Sequence, residues 1–323
     1  MAPERTPEAL LADHGFAVRS LVPLAGDLSQ RRYFRSGLQS GGSAVLALYP
    51  EGLREECGRF LTSGALLAEA GVRVPRVLAG DSSAGWTLLE DLGEWTLAEA
   101  PGLGDREVAD YFGRAGATIA RIQTIPPQRV ATLNPPLDGG LLRRELEQTE
   151  RELLKPVGLV EAAHSAALTT ALDRLCEAID RDPRVPCHRD FMVRNLMPIG
   201  PPPSLVVLDH QGLRLGPALY DLASLLNDTL FLPAEHEREL LEKLLRSDQE
   251  RLAFHRAAAQ RTLKAAGTYA HFLRRGLRRH APLIAPTLDR AIAHLTLVPE
   301  TVDAARRLAD LWAPRRDLSD LLC

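Results

Sequence analysis

Two carboxylates and an amide stand out by their type and spacing. In Cys187-His188-Arg189-Asp190-Phe191-Met192-Val193-Arg194-Asn195, an asparagine follows an aspartate by five residues. An apolar run, Leu205-Val206-Val207-Leu208, then ends in Asp209, fourteen residues beyond that asparagine. Phosphoryl transfer needs such a set. One carboxylate faces the attacking hydroxyl, while an amide oxygen and a second carboxylate hold magnesium against the phosphates. His-Arg-Asp alone would carry little, because three common residues often meet by chance. Asp190 and Asn195 could also be turn and capping residues of a surface loop. That alternative leaves Asp209, at the end of a strand-like run, without a role. The expected roles are Asp190 as base, Asn195 and Asp209 as magnesium ligands, and ATP as donor.

The elements that would position these groups can be followed from the N-terminus. Residues 6–15 suggest a short helix and 16–24 a first strand. In Leu24-Ala25-Gly26-Asp27-Leu28-Ser29-Gln30-Arg31-Arg32-Tyr33-Phe34-Arg35, a Gly-Asp turn and a polar tip predict a hairpin. Backbone N–H groups of that tip, with Gly26 and Asp27 at the turn and Ser29, Arg31 or Arg32 as donors, could cover phosphates. With a single glycine, a plain hairpin is an equal alternative. Ser43–Tyr49 predicts a third strand ended by Pro50, and 52–70 a helix with Phe60, Leu61, Leu66 and Leu67 on one face, closed by Gly71. Two more strands are expected at 74–79 and 86–90. After Glu90-Asp91-Leu92-Gly93 the pattern turns helical, with helices expected at 106–123, 141–154 and 162–180, and one starting at Ala218. Asp221, in the first turn of that last helix, is placed to meet its dipole and to brace the loop of Asp190. Strands followed by helices read as an α+β fold. The expected division is a nucleotide-binding part, 1–92, and a catalytic and acceptor-binding part, 93–323.

Composition narrows the partners. The chain has 323 residues and a net charge of −3, which gives no electrostatic case for nucleic acid or an anionic membrane. No apolar run approaches the roughly 20 residues of a membrane span. Met1-Ala2-Pro3-Glu4-Arg5 lacks the apolar core of a signal peptide. Cys57, Cys176, Cys187 and Cys323 form no Cys-x-x-Cys pair and are expected to be reduced thiols of a cytoplasmic protein. A small-molecule partner and a monomer or weak dimer complete this expectation. From Arg251 to Pro282 there are eight basic residues (Arg251, Arg256, Arg261, Lys264, Arg274, Arg275, Arg278 and Arg279) and no acidic ones. Such a run is usually a solvated face. Beside an active site it would repel a polycationic acceptor and tolerate an anionic one.

The joint pattern resembles the protein-kinase catalytic signature, in which Asp is base and Asn and a strand-borne Asp hold metal. With Tyr220-Asp221-Leu222-Ala223 added, it is similar to the aminoglycoside phosphotransferase/choline kinase superfamily. Within that superfamily it most resembles the bacterial cell-wall-recycling kinases that act on the anomeric hydroxyl of N-acetylmuramate and N-acetylglucosamine. Gln260-Arg261-x-Leu263-Lys264-x-x-Gly267-x-Tyr269 and Arg194-Asn195-Leu196-Met197 look like that group too. The resemblance implies a protein-kinase-like two-lobed fold, with a small mostly β lobe and a larger mostly helical lobe. It places Glu90 and Leu92 at a hinge that pairs with adenine. It makes His188 and Asp221 structural supports, and Arg194, Gln211, Gln260 and Arg261 acceptor-side candidates. Two departures stand out. His210 occupies a position where an aromatic is commoner. The third strand lacks the lysine that grips phosphates in protein kinases, so Arg31, Arg32 or Arg35 would have to supply that charge. The missing lysine also admits a nucleotide-binding pseudokinase. An aminoglycoside or choline acceptor is disfavoured by the carboxylate-free stretch 251–282 and by the scarcity of aromatic residues.

Overall fold

The computed structural model describes residues 6–24, 30–160, 165–200 and 203–315. Its N-terminal part is a five-stranded antiparallel sheet in the order β1-β2-β3-β5-β4. The strands are β1 (Val18–Leu24), β2 (Arg32–Leu38), β3 (Ser43–Leu48), β4 (Val77–Asp81) and β5 (Trp86–Glu90). Helix α1 (Pro7–Asp13), capped by Thr6, lies before the sheet, and α2 (Arg54–Glu69) follows β3. Side chains alternate across a strand, and β3 shows why it reads as nearly all apolar. Ala44 and Leu46 join Leu11, Trp86 and Leu88 on one face, while Ala47 and Tyr49 pack with Cys57 of α2 on the other.

The remainder is mostly helical and holds the main core. It contains α3 (Asp105–Ile122), α4 (Pro127–Val130), α5 (Gly139–Thr149), α6 (Ser165–Asp180), α7 (Tyr220–Leu226), α8 (Ala234–Leu244), α9 (Asp248–Arg274), α10 (Ile284–Thr296) and α11 (Val302–Trp312). The 27-residue α9 is the axle of this part. It carries Ala257, Ala258, Ala259, Ala265 and Ala266, all buried, so neighbouring helices approach it closely. At the crossing with α5, a Cβ on Gly267 would lie 2.2 Å from Thr149 Oγ1 and 2.6 Å from Thr149 Cα. Only glycine allows the two backbones this near. Among the described residues, no helix is long and apolar enough to cross a membrane.

The expected α+β, two-lobed arrangement is what the chain forms, with local differences. The second part is not wholly helical. Two small hairpins, β6 (Arg184–Cys187) with β9 (Arg214–Pro217) and β7 (Leu196–Ile199) with β8 (Ser204–Val207), frame the loops of interest. β8 corresponds to the apolar run expected as a strand, whereas β6, β7 and β9 are four residues long and each contains proline, so neither length nor alternation announces them. The run expected to reach Asp209 as a strand stops at Val207, and Asp209 takes a left-handed turn (φ 53°). The strand expected at 74–79 is found at Val77–Asp81, because Val74 enters the core and Pro75 precedes the ladder. The helix expected at 141–154 ends as α5 at Thr149, and Glu150–Leu154 continue as a π-helical turn.

Candidate active site

The loop of Asp190 joins β6 to β7. Its entry is fixed from below by Asp221 at the start of α7, whose carboxylate is 1% exposed. That carboxylate accepts from His188 N at 2.7 Å, Arg189 N at 2.9 Å and the Cys187 thiol at 3.2 Å. Burial pushes the Asp221 carboxyl up, while His188 and these donors oppose that shift. Arg189 can then hold a left-handed backbone (φ 78°), which re-aims the chain so that the next side chain, Asp190, faces outward. His188 is fully buried and bonds through Nε2 to the Leu208 carbonyl at 2.9 Å, tying this loop to the turn of Asp209. The Asn195 amide nitrogen donates to the Asp190 carbonyl at 2.8 Å, leaving its oxygen as the end available to the cleft it lines.

Asp190 opens into a cavity of about 260 Å³ whose lining includes Met192, Arg194, Arg261, Lys264, Tyr269 and Phe272. Arg261 Nη2 and Lys264 Nζ stand 3.8 and 3.9 Å from Asp190 Oδ1. Burial alone would raise the Asp190 carboxyl, but Lys264, Arg189 and Arg261 outweigh it and hold the group well below the usual carboxylate range. Lys264 and Arg189 hold Glu145 of α5 low against its burial, and Arg189 donates to Glu145 at 3.0 Å. Burial and Arg261 lower the Lys264 ammonium, with Asp190 and Glu145 opposing. Arg194 pairs with buried Asp228 at 3.1 Å and lies 6.0 Å from the centre of the Tyr269 ring.

A larger cleft of about 630 Å³ lies between the sheet and this loop. Leu24, Tyr33, Val45, Leu89, Leu92 and Met197 supply apolar walls, as a flat heterocycle requires, and Arg31, Asn195 and Asp209 are among its polar lining. Arg194, Asn195 and Asp209 line both spaces, so cleft and cavity meet at these residues. An amide oxygen and a carboxylate are hard oxygen donors, which fit magnesium rather than a soft metal. Asp209 is held by Gln211 Nε2 at 2.9 Å. The residue after it, His210, is buried, bonds Ser63 of α2 at 2.8 Å and stacks on Phe60 at 4.3 Å. Helix α2 is thereby tied to the turn of Asp209. Burial, with His188 nearby, holds the His210 pKa down to about 3.

The phosphotransferase enzyme family model matches residues 20–260. The chain belongs to the phosphotransferase enzyme family. Its curated relatives include the N-acetylmuramate/N-acetylglucosamine kinase of Pseudomonas aeruginosa, 36% identical over 64% of this chain and 60% of that one. The enzyme of that name from Pseudomonas putida is 32% identical over 92% of this chain and 90% of its own length. Among solved structures, the choline kinase LicA from Streptococcus pneumoniae superposes with a TM-score of 0.60 at 15% identity, covering 88% of this chain and 97% of that one. A macrolide 2'-phosphotransferase type I gives 0.60 at 17% identity, covering 94% and 95%. The chain is thus a small-molecule kinase with the fold of these proteins.

In this phosphotransferase, Asp190, Arg194, Asn195, Asp209 and Arg261 come together around the junction of cavity and cleft. Arg31 and Leu92 line the cleft, and His188 and Asp221 sit beneath the loop. Gly26, Asp27 and Ser29, expected in the phosphate cover, lie outside the described residues. Four expectations are corrected. Arg32 is exposed, because it alternates with Arg31 and Tyr33 along the chain and turns from the cleft. Glu90 reaches the cleft wall, but its N–H is committed to the Arg76 carbonyl and its carboxylate to Arg73 at 2.6 Å. Gln211 donates to Asp209 instead of facing the acceptor cavity. Gln260 is fully buried under the loop, bonded to the Leu142 carbonyl, Glu145 and the Tyr220 hydroxyl. Of the basic stretch, Arg261 and Lys264 line the cavity, whereas Arg256 and Arg279 pair with Glu300 and Glu99 elsewhere. Sequence reasoning passed over Lys264, Glu145 and Asp228 as site residues. Helical geometry held one signal: residues three apart share a face, so Lys264 goes with Arg261.

Proposed function

We propose that this kinase transfers the γ-phosphoryl group of ATP, with magnesium, to the anomeric hydroxyl of an amino sugar, N-acetylmuramate or N-acetylglucosamine. The names of the relatives support the sugar. The observation that carries the reading is the charge of the acceptor cavity. Among the charged residues that line it, three are cations (Arg194, Arg261 and Lys264) and two are carboxylates (Asp190 and Asp209). One positive charge in excess, half-buried, favours an acceptor carrying a carboxylate and opposes a polycation. N-acetylmuramate carries such a group; kanamycin and choline are cations.

The chemistry follows from the side chains. Asp190, kept ionised by Lys264 and Arg261, accepts a hydrogen bond from the acceptor hydroxyl and takes its proton late. Little base strength is needed, because the transition state of phosphoryl transfer is loose. Asn195 and Asp209 would hold magnesium, which neutralises the phosphate charge. The apolar wall at Leu24, Val45 and Leu89 receives the base of the nucleotide. A kinase using ATP on a recycled sugar works in the cytoplasm, as a monomer or weak dimer with small-molecule partners.

The test is a magnesium- and ATP-dependent assay read by phosphorus NMR. The acceptors are N-acetylmuramate, N-acetylglucosamine, glucosamine, choline and kanamycin. An anomeric sugar phosphate is the expected product. Transfer only to kanamycin or choline, or to none, would overturn the assignment of the acceptor.

A further inference from the structure

Asp209 receives two donors on one oxygen. Gln211 Nε2 reaches Oδ1 from the same turn at 2.9 Å, and Arg31 Nη2 reaches it across the cleft at 3.0 Å. The Arg31 side chain is 12% exposed and that of Asp209 is 38% exposed, so the ion pair sits inside the cleft mouth. The Arg31 guanidinium also lies 5.8 Å from the centre of the Tyr33 ring. Tyr33 is paired in the sheet with Ala47, which is fully buried against Tyr49 and Cys57. The β3 position that faces α2 thus ends in a methyl group, and the neighbouring strand brings the cation. Arg35, two residues on, is held at the far end of the cleft by Asp91, Glu94 and the Gly93 carbonyl.

We propose that Arg31 is the phosphate-holding cation of this cleft, and that it rests on Asp209 until a magnesium–nucleotide complex displaces it. The proposal rests on the phosphotransferase reading of Asn195 and Asp209. A carboxylate oxygen cannot serve a guanidinium and a small divalent cation equally, because the two repel and magnesium requires close, near-octahedral oxygens. A guanidinium released beside metal-bound phosphates finds there the acceptor geometry that arginine matches best. Arg31 therefore acts on the two ligands with opposite sign: it competes with a bare metal ion and assists the nucleotide.

Arg31→Gln and Arg31→Lys separate these effects. Binding of Mn²⁺ alone is followed by EPR, and binding of magnesium–ADP by calorimetry. In Arg31→Gln the metal alone should bind about threefold tighter or more, as loss of a partly exposed competing ion pair implies. Magnesium–ADP should bind about tenfold weaker or more, as loss of a charged hydrogen bond implies. Arg31→Lys should fall between Arg31→Gln and the wild type on both scales. Affinities that both stay within twofold, or that both weaken, would overturn the proposal while wild-type nucleotide binding left the phosphotransferase reading standing. A wild-type protein that binds no nucleotide would overturn both.

Discussion

Replacing Asp221 tests how the loop of Asp190 is built. Its carboxylate satisfies two backbone N–H groups, of His188 and Arg189, at 2.7 and 2.9 Å in a buried position. Alanine leaves both donors without a partner. At about 1–3 kcal/mol for each orphaned group, the loss is about 2–6 kcal/mol, with the thiol contact of Cys187 a lesser addition. Arg189 must also keep its left-handed backbone, which for a non-glycine residue is held only by its surroundings. Part of the energy will be recovered by relaxing that backbone, and the relaxation moves Asp190. A displacement of about 1 Å lowers turnover by about 10²-fold. Asp221→Asn is the informative partner. One oxygen can still accept from one amide, but its NH₂ meets the second N–H donor to donor. It should recover no more than about half the stability and little of the turnover. Urea unfolding and kcat on the two variants check this. An alanine variant within about 1 kcal/mol and threefold in kcat of the wild type would refute the argument.

Other outcomes follow from the packing around the site. Gly267→Ala places a Cβ within contact-violating distance of the Thr149 backbone. It should cost about 1–3 kcal/mol by overpacking and lower kcat by parting Glu145 on α5 from Lys264 on α9; unchanged urea midpoint and kcat would contradict this. His294 is buried and donates through Nε2 to Asn227 Oδ1 at 3.0 Å; burial, then His255 and Arg290, hold its pKa down to about 3. The unfolded chain takes up a proton near pH 6.5 that the fold refuses. Stability contributed by this group is therefore complete above that pH and falls by about 2 kcal/mol on going to pH 5. Urea unfolding at pH 7 and 5 should show His294→Gln losing that part of the pH dependence, and an unaltered dependence would count against it.

The chemistry was legible in the sequence where it is local. Asp190, Asn195 and Asp209 lie on short loops whose residue types and spacing are visible without the fold. The sheet and helices up to Glu90 followed from alternation and from turn residues. What was not legible depends on distant segments crossing. Glu145 and Lys264 become partners only because α5 and α9 meet where Gly267 removes a side chain. Gln211 reads as an acceptor group until the left-handed turn at Asp209 folds its amide back onto the carboxylate. Gln260 looked equivalent to Arg261, but one residue along a helix is a rotation of about 100°, enough to send it under the loop. Of the four-residue strands around Asp190, β8 was legible as an apolar run, while β6, β7 and β9 fell below the length at which alternation is informative.

In the proposed reaction, Asp190 faces the acceptor hydroxyl while Asn195 and Asp209 serve the metal–nucleotide complex. The most direct measurement is kcat of Asp190→Asn, with nucleotide and acceptor affinities measured on the same folded protein. The expected result is a loss of about 10²–10⁴-fold in kcat, with magnesium–nucleotide affinity within a few-fold of wild type. A folded variant that kept most of its turnover would contradict it.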